Sequence, residues 1–274
     1  EALEKELSYF GNYKTFVVMR YWHPFSKDVV KKVKEYQPDE IILLPLYPQF
    51  STTTTESSFN DFYQKLKKNK VLAKLKYICC YPINPQFIFS HCRLIKQAIN
   101  KTNSAGFDNF RILFSAHGLP QKIIDAGDPY CFQVKASVDG IVKELAIENL
   151  DYKICYQSKV GPLQWTKPSL EFEINRAAID KKAIIIVPIA FVSDHSETLV
   201  ELDIEYKEIA DHKKTPFYCR VPVLNVDGYF IKALVDICKR TSEVEFSCNG
   251  GDFGVKICPK NFTKCININP SSND

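Results

Sequence analysis

The feature that most constrains the fold is a regular alternation of apolar, strand-like runs with amphipathic, helix-like stretches. The runs at residues 41–46 (IILLPL) and 183–192 are continuously apolar, as expected of strands buried on both faces. Between such runs, apolar residues recur at helical spacing, as Val29, Val30 and Val33 do. Strands that alternate with helices indicate βαβ units and a parallel sheet. The chain is therefore predicted to be a doubly wound α/β protein.

The same pattern predicts the elements and their grouping. Strands are predicted at residues 15–19, 41–46, 76–81, 110–116, 153–157, 183–192 and 217–221. Helices are predicted at residues 28–36, 58–66, 87–99, 134–147, 169–179, 194–210 and 230–240. The polar stretch at 100–108 is the best internal boundary. We expect two α/β halves at 1–105 and 106–225 with a cleft between them, a closing helix within 226–247 that packs back on the first half, and a loop-like, cysteine-containing tail at 248–274.

Composition excludes several classes of protein. Apolar residues make up 45% and charged residues 25%, which is typical of a globular chain. The longest apolar run contains Pro188 and is far shorter than the about 20 residues of a membrane-spanning helix. A net charge of +4 does not indicate nucleic-acid binding, and ten cysteines are too few for a disulfide scaffold. Met19 is the only methionine and no signal peptide is present, which predicts a processed or truncated chain.

Five polar segments each follow a predicted strand. They begin at Arg20, Tyr47, Ser115, Gln157 and Ser193. Because the carboxyl ends of parallel strands lie on one edge of a sheet, these segments are expected to meet at one cleft.

Two histidines and an acidic stripe belong to this predicted edge. His117 and His195 follow strands, where histidine can accept a proton or ligate a borderline metal; a hydrogen-bonded structural role is the alternative. In the helix predicted at 194–210, acidic residues recur at intervals of 3, 4, 4 and 3, which places them on one helix face. Such a row of carboxylates could attract a divalent cation or carry protons away. The alternative is that it is an ordinary solvated face of the helix. The acidic residues are Asp194, Glu197, Glu201, Glu205 and Glu208.

Aromatic and apolar residues near the same edge predict a flat apolar pocket, with ordinary core packing as the alternative. These residues are Tyr21, Trp22, Tyr47, Phe50, Trp165 and Phe191. A flat macrocycle is the ligand that best uses aromatic walls, a basic group such as Arg20 or Lys159, and a metal-facing histidine.

Several motifs, in order, resemble the signature blocks of the ferrochelatase family. They are FSAHGLP with GDPY (114–120 and 127–130), YQSKVGPLQW (156–165) and PIAFVSDHSETLVELDIEY (188–206), with MRYWHP and LYPQFSTTTTESS before them. The resemblance covers residues 1 to about 240. It implies a lyase that inserts Fe²⁺ into a porphyrin, protoporphyrin IX or coproporphyrin III, to make haem. It also implies two Rossmann-like, chelatase-type halves, and a chain that lacks the family's N-terminal βα unit.

The resemblance also implies roles for individual residues. His117 is a pyrrole-proton acceptor or metal ligand, and Glu197 is its acidic partner across the macrocycle. Asp194, His195 and Glu201 join these two on a polar path for the metal. Six side chains are implied to hold or flank the macrocycle: Arg20, Tyr21, Tyr47, Ser158, Trp165 and Phe191.

Some members of the family hold a [2Fe–2S] cluster with one internal and three C-terminal cysteines. The resemblance implies Cys92, Cys248, Cys258 and Cys265 for these positions, with zinc or free thiols as alternatives.

The implied partners are a porphyrin and ferrous iron, without nucleic acid. Peripheral membrane association and a homodimer are left open. The implied location is the cytoplasm, or the face of the inner membrane, or an organelle if the source is eukaryotic. Three rival functions remain: a cobalt or nickel tetrapyrrole chelatase, a catalytically impaired porphyrin-binding fragment, and an α/β protein that binds an anionic ligand.

Overall fold

Parallel β-sheets flanked by helices form the framework of the protein. A computed structural model describes residues 1–159, 161–244, 248–250 and 256–267, with only the backbone of 248–250. The strands are β1 (Glu40–Leu43), β2 (Lys74–Cys80), β3 (Phe110–His117), β4 (Tyr152–Gln157), β5 (Ala183–Pro188), β6 (Tyr218–Arg220) and β7 (Cys248–Gly250). The helices are α1 (Ala2–Leu7), α2 (Ser26–Tyr36), α3 (Ser57–Lys68), α4 (Pro85–Ser104), α5 (Gln121–Asp125), α6 (Tyr130–Leu145), α7 (Leu170–Ile179), α8 (Ser196–Leu199), α9 (Tyr206–His212) and α10 (Gly228–Glu243).

Two sheets divide the strands. The first has the order β1-β2-β7 and the second the order β4-β3-β5-β6, and all their pairings are parallel. Strand β3 lies inside the second sheet between β4 and β5, so its carboxyl end is flanked by the ends of both neighbours. The predicted α/β fold with parallel sheets is confirmed.

The second sheet is covered by helices on both faces. Ile112 and Phe114 of β3 pack into a core with α4, α6 and α10, whereas Leu113 packs into a second core with α7 and α9. This follows from the two-residue period of a strand, which sends successive side chains to opposite faces. In β5, residues 184–187 are fully buried, as the continuous apolar run predicts. Helix α10 contacts α4, α1 and β2.

Side-chain caps begin helices α4 and α10. The Asn84 carboxamide oxygen accepts from the backbone N–H groups of Gln86 and Phe87, at 3.1 Å each, and Pro85 occupies the first turn of α4. The Asp227 carboxylate caps α10 in the same way. These caps satisfy N–H groups that have no partner within the helix.

The prediction of a strand at residues 15–19 is wrong. Among the described residues, only Met19 forms a bridge there, to Phe25, and Val17 is 67% exposed. The β-branched residues favour an extended backbone, but a strand also needs a neighbour to pair with and a face to bury.

Three predicted boundaries also change. The strand predicted at 183–192 ends at Pro188, because proline has no N–H to donate to the ladder. The strand predicted at 41–46 ends at Leu43, two residues before Pro45. The tail that was predicted to be loop-like supplies β7, which pairs with β2.

The single helix predicted at 194–210 is interrupted. It consists of α8, a π-helical segment at Glu201–Glu205, and α9. A second π-helical segment, Thr52–Glu56, precedes α3. Because a π turn bonds residue i to i+5, it breaks the regular stripe that a 3.6-residue period predicts. Within the described residues, no helix is long and apolar enough to cross a bilayer.

Candidate active site

The site begins at the carboxyl ends of β3 and β4. His117 is the last residue of β3 and pairs in register with Gln157, the last residue of β4. The Gly118 N–H donates to the Gln157 carbonyl at 2.8 Å, which continues the pairing one residue beyond β3. A Cβ at position 118 would lie 2.9 Å from that carbonyl and 3.3 Å from the Trp165 ring. Only glycine therefore allows β3, β4 and Trp165 to approach this closely.

Hydrogen bonding fixes the tautomer of His117. Its Nδ1 lies 2.5 Å from the Gly118 carbonyl oxygen. A carbonyl can only accept, so in the neutral ring Nδ1 carries the hydrogen and Nε2 carries the lone pair. This Nε2 lies 3.5 Å from Oε1 of Glu197, and both side chains are 33% exposed. The pair therefore offers a basic nitrogen beside a carboxylate that stabilises its protonated form.

Glu197 reaches this position because His195 caps the start of α8. The Nδ1 of His195 accepts from the Glu197 N–H at 3.1 Å, while the Thr198 hydroxyl accepts from the His195 N–H at 3.0 Å. This reciprocal cap sets the first turn of the helix. The His195 ring also packs edge-on against Phe191, with centroids 4.9 Å apart. His195 thus uses one ring nitrogen as a cap rather than presenting it to a metal.

Asp194 is held by other residues of the fold. Its carboxylate pairs with Arg220 at 3.3 Å and accepts from the Asn225 amide at 3.0 Å. Arg220 also forms two hydrogen bonds with Asp203, in the π-helical segment. The guanidinium therefore ties the start of α8 to the π turn that follows it.

Glu201 lies on the site side of the π-helical segment. Its Oε2 accepts from Ser158 Oγ at 2.6 Å and from Gln157 Nε2 at 3.1 Å. Burial raises the pKa of nearby Tyr206 to about 12, and the charge of Glu201 adds to this effect. Glu205 and Glu208 are exposed.

The predicted metal residues do not form one ligand set. Of the five, the structure brings His117 and Glu197 into contact, ties Glu201 to β4, and occupies Asp194 and His195 with structural partners. Among the described side chains, no group of three or more His, Cys, Asp or Glu is arranged to hold a metal ion.

Aromatic side chains of the first half were predicted to line the same edge. Burial raises the pKa of Tyr47, and the charges of Tyr21 and Glu197 raise it further. The Arg20 guanidinium lies 4.9 Å from the centroid of the Tyr21 ring, and its Nε donates to Ser57 Oγ. Tyr21 is 74% exposed, and Tyr47 is the aromatic residue of this group on which the charge of Glu197 acts.

Two residues of the site were not among the predicted site residues. Gln157 is buried and contacts both Glu197 and Glu201. Tyr130 is buried, and the pKa of its phenol is raised by burial and then by the charges of Cys131 and Glu197. A polar residue at the end of a strand, directly before Ser158, is the sequence signal that identifies Gln157.

The fold is that of a solved metal chelatase. The structure of SirB from Bacillus subtilis with Fe³⁺ matches 90% of this chain and 90% of its own, with a TM-score of 0.61 and 14% identity. A second SirB structure, a sirohydrochlorin chelatase in complex with cobalt, matches 88% of this chain and 87% of its own, with a TM-score of 0.58 and 11% identity. The architecture is therefore of the chelatase type.

Sequence comparison identifies the family within this fold. The family model for ferrochelatase matches residues 1–242. The ferrochelatase of Rickettsia typhi is 53% identical over 252 residues, which are 92% of this chain and 71% of that protein. The ferrochelatase of Pelagibacter ubique is 48% identical over 273 residues, 98% of this chain and 77% of that protein. The chain belongs to the ferrochelatase family.

Proposed function

We propose that His117 and Glu197 are the proton-accepting pair of an enzyme that inserts ferrous iron into a porphyrin. The activity follows from membership of the ferrochelatase family over most of the chain. The observation that carries the residue assignment is the contact between His117 Nε2 and Glu197 at the edge of the parallel sheet.

A porphyrin carries two N–H protons in the plane of its ring, and metal insertion must remove both. His117 presents a lone pair on Nε2, so it can take a pyrrole proton as a general base. The positive charge that develops on the ring lies beside the Glu197 carboxylate. Its attraction stabilises the protonated histidine and makes the proton transfer more favourable.

Protons and iron also need a path through the site. Glu201 lies one helical turn beyond Glu197, and both are tied to Gln157. Successive carboxylates on this segment supply oxygen ligands that a ferrous ion can pass along and sites that a released proton can occupy. In metal insertion the ferrous ion is itself a substrate, so these carboxylates are proposed to bind it on its way to the macrocycle.

The macrocycle is proposed to lie among Tyr21, Tyr47, Trp165 and the His117–Glu197 pair. The charge of Glu197 acts on Tyr47, and Trp165 lies against Gly118, the residue after His117. Aromatic faces suit a flat apolar ring, while Arg20 supplies a positive charge for its carboxylates. Ser158 and Phe191 flank the same region through Glu201 and His195.

The proposal is tested by anaerobic metal insertion. The protein is mixed with protoporphyrin IX or coproporphyrin III, and the Soret band is followed after addition of Fe²⁺, Co²⁺ or Ni²⁺. We expect insertion with Fe²⁺, and the faster porphyrin identifies the substrate. Porphyrin binding without insertion would identify a porphyrin-binding protein instead. A preference for Co²⁺ or Ni²⁺ would identify another chelatase.

The iron–sulfur cluster implied by the resemblance does not fit the described side chains. The Cys92 thiol lies between α4 and α6, donates to the Ile141 carbonyl at 3.5 Å, and has its pKa raised to about 12 by burial. Cys258 instead contacts Cys265 and the Gln133 amide, the latter at 3.2 Å. The side chain of Cys248 lies outside the described residues. No step of the mechanism is therefore derived through a cluster.

Iron and labile sulfide analysis of anaerobically purified protein tests the cluster prediction. From these contacts we expect Cys92→Ser to leave the iron content and the visible spectrum unchanged. Loss of visible charge-transfer bands in both Cys92→Ser and Cys258→Ser would establish the four-cysteine set.

We also propose that the protein is cytoplasmic, that it forms a homodimer and that it associates peripherally with a membrane. Support for membrane association comes from the exposed apolar residues Val17, Tyr21 and Trp22. Exposed apolar side chains of this kind favour contact with a lipid surface or with another protein. Co-sedimentation with anionic vesicles, compared between the parent and Trp22→Ser, separates the lipid surface from a protein partner. Light scattering measures the oligomeric state.

A further inference from the structure

Gln157 is only 1% exposed, and both the nitrogen and the oxygen of its side-chain amide form hydrogen bonds. Its Nε2 donates to the Glu197 carbonyl oxygen at 2.8 Å and to Glu201 Oε2 at 3.1 Å. Its Oε1 accepts from Ser115 Oγ at 2.7 Å. Both partners of Nε2 are acceptors only, so the orientation of the amide is unambiguous.

The same residue is joined to His117 through the backbone. His117 and Gln157 pair in register, and the Gln157 carbonyl accepts from the Gly118 N–H at 2.8 Å. The Gly118 carbonyl in turn holds Nδ1 of His117. The main chain of Gln157 therefore fixes the backbone beside His117. Its side chain holds the segment that carries Glu197 and Glu201, here called the acidic segment.

Ser115 supports this arrangement from inside the sheet. It is fully buried on β3, two residues before His117, and its hydroxyl donates to the Gln157 oxygen. This bond holds the oxygen of the amide towards β3 and leaves the NH₂ group facing Glu197 and Glu201. A polar group buried this deeply is costly unless it is hydrogen-bonded, so the complete pairing argues for a specific position of the acidic segment.

The acidic segment needs such a support because its helix is irregular. Between α8 and α9 the backbone takes a π turn at Glu201–Glu205, and Glu197 and Glu201 lie before and at the start of it. The Arg220–Asp194 and Arg220–Asp203 pairs hold the segment through other side chains. Hydrogen bonds from Gln157, at the end of β4, and from Ser158, the next residue, reach Glu197 and Glu201.

We propose that Gln157 is a positioning residue that sets the distance between His117 Nε2 and the Glu197 carboxylate. It acts through the Glu197 carbonyl and the Glu201 carboxylate, and it does not contact the substrate. The inference rests on the function proposed above for His117 and Glu197. Glutamine suits this position because leucine has a similar size but no donors, asparagine is one methylene shorter, and glutamate would place a second negative charge beside Glu201.

The test compares Gln157→Leu with a matched variant, Gln49→Leu. Gln49 is also 1% exposed and also donates two hydrogen bonds, but to Ser137 and the Ile189 carbonyl. Both variants lose a buried amide, but Gln157→Leu loses three hydrogen bonds and Gln49→Leu two, so Gln157→Leu is expected to lower the Tm more. A small displacement of reacting groups costs up to about 10²-fold in rate, so we expect Gln157→Leu to lower kcat about 10- to 100-fold. Its KM for porphyrin should stay within about threefold, and Gln49→Leu should keep kcat within about threefold.

A double-mutant cycle with His117→Ala separates positioning from general damage. If Gln157 acts by placing Glu197 against His117, then Gln157→Leu should add little to the loss caused by His117→Ala. Ser115→Ala removes one hydrogen bond to the Gln157 amide and leaves the amide in place, so we expect an intermediate loss in kcat. This variant replaces Gln157→Leu in the test if Gln157→Leu does not fold. An inactive parent protein would refute the proposed function. An active parent whose Gln157→Leu and Ser115→Ala variants keep kcat within twofold would overturn the present inference alone. The inference would also be overturned if Gln157→Leu lowered kcat by the same factor in the parent protein and in His117→Ala.

Discussion

Replacing Glu197 by glutamine isolates the contribution of one charge to the reaction. The substitution keeps the size of the side chain and removes its negative charge. In the parent protein, Glu197 Oε1 lies 3.5 Å from His117 Nε2, and this carboxylate stabilises the histidine once it has taken a proton. We therefore expect Glu197→Gln to slow the chemical step and to leave porphyrin binding intact.

The distance sets the magnitude of the effect. Two unit charges at this separation attract by about 1 kcal/mol in bulk water and by about 5 kcal/mol at an effective dielectric constant of about 20. Both side chains are one-third exposed, so we take an intermediate value of about 2–3 kcal/mol. Since about 1.4 kcal/mol corresponds to a factor of ten, kcat should fall on the order of 10²-fold.

The assay is anaerobic single-turnover insertion of Fe²⁺, with porphyrin affinity measured separately by fluorescence quenching. Glu208→Gln is the matched control, because Glu208 belongs to the same acidic series but is exposed on α9. We expect this control to keep the parental rate. Equal rates in the two variants, or a loss of less than threefold in Glu197→Gln, would refute the argument from charge.

Three further predictions concern groups around the site and the core. The pKa of His91 is lowered to about 3 because burial disfavours its charged form, so folding stability is lost as pH falls below the unfolded value of about 6.5. By linkage, the unfolding free energy of the parent minus that of His91→Leu should fall by about 2 kcal/mol between pH 7.5 and pH 5; the same difference from urea unfolding at both pH values would contradict this. The hydrogen bond from Cys258 lowers the pKa of Cys265 to about 6, so iodoacetamide should label Cys265 at neutral pH well before Cys92, and equal labelling by mass spectrometry would contradict it. Asp194→Asn weakens the pair with Arg220 and should lower the Tm by about 1–4 °C while kcat falls less than about fivefold; a loss comparable to that of Glu197→Gln would show a direct role in metal handling.

Much of the fold could be predicted because its strands are apolar and its helices amphipathic. The continuous run at 183–192 identified the central β5 strand, and Pro188 explains why the strand ends early. The prediction of a strand at 15–19 was wrong because β-propensity contains no information about a pairing partner. The interruption of the helix predicted at 194–210 was not predictable from a 3.6-residue period, since a π turn leaves no periodic signal of its own.

The site was predictable where residues follow strands. His117 and Glu197 were both expected at the edge of the sheet, and the structure brings them into contact. Gln157 was expected to begin a polar segment at this edge, but its hydrogen bonds to Glu197 and Glu201 depend on how the end of β4 lies against the segment after β5, which a linear pattern does not contain. The four-cysteine site that the resemblance implies stays a prediction, and the described contacts of Cys92 and Cys258 are with different groups.

The most direct test of the account is the rate of ferrous iron insertion in His117→Ala. The side chain of His117 lies at the end of β3 and is one-third exposed, so its removal should leave the fold intact, as circular dichroism would verify. In a stopped-flow experiment without oxygen, the parent protein should convert the free-base Soret band to that of haem. His117→Ala should bind the porphyrin and leave it free of metal over the same period, because a positioned base typically contributes about 10²–10⁴-fold to the rate. Insertion by His117→Ala within tenfold of the parental rate would contradict the central claim that this histidine takes the pyrrole proton.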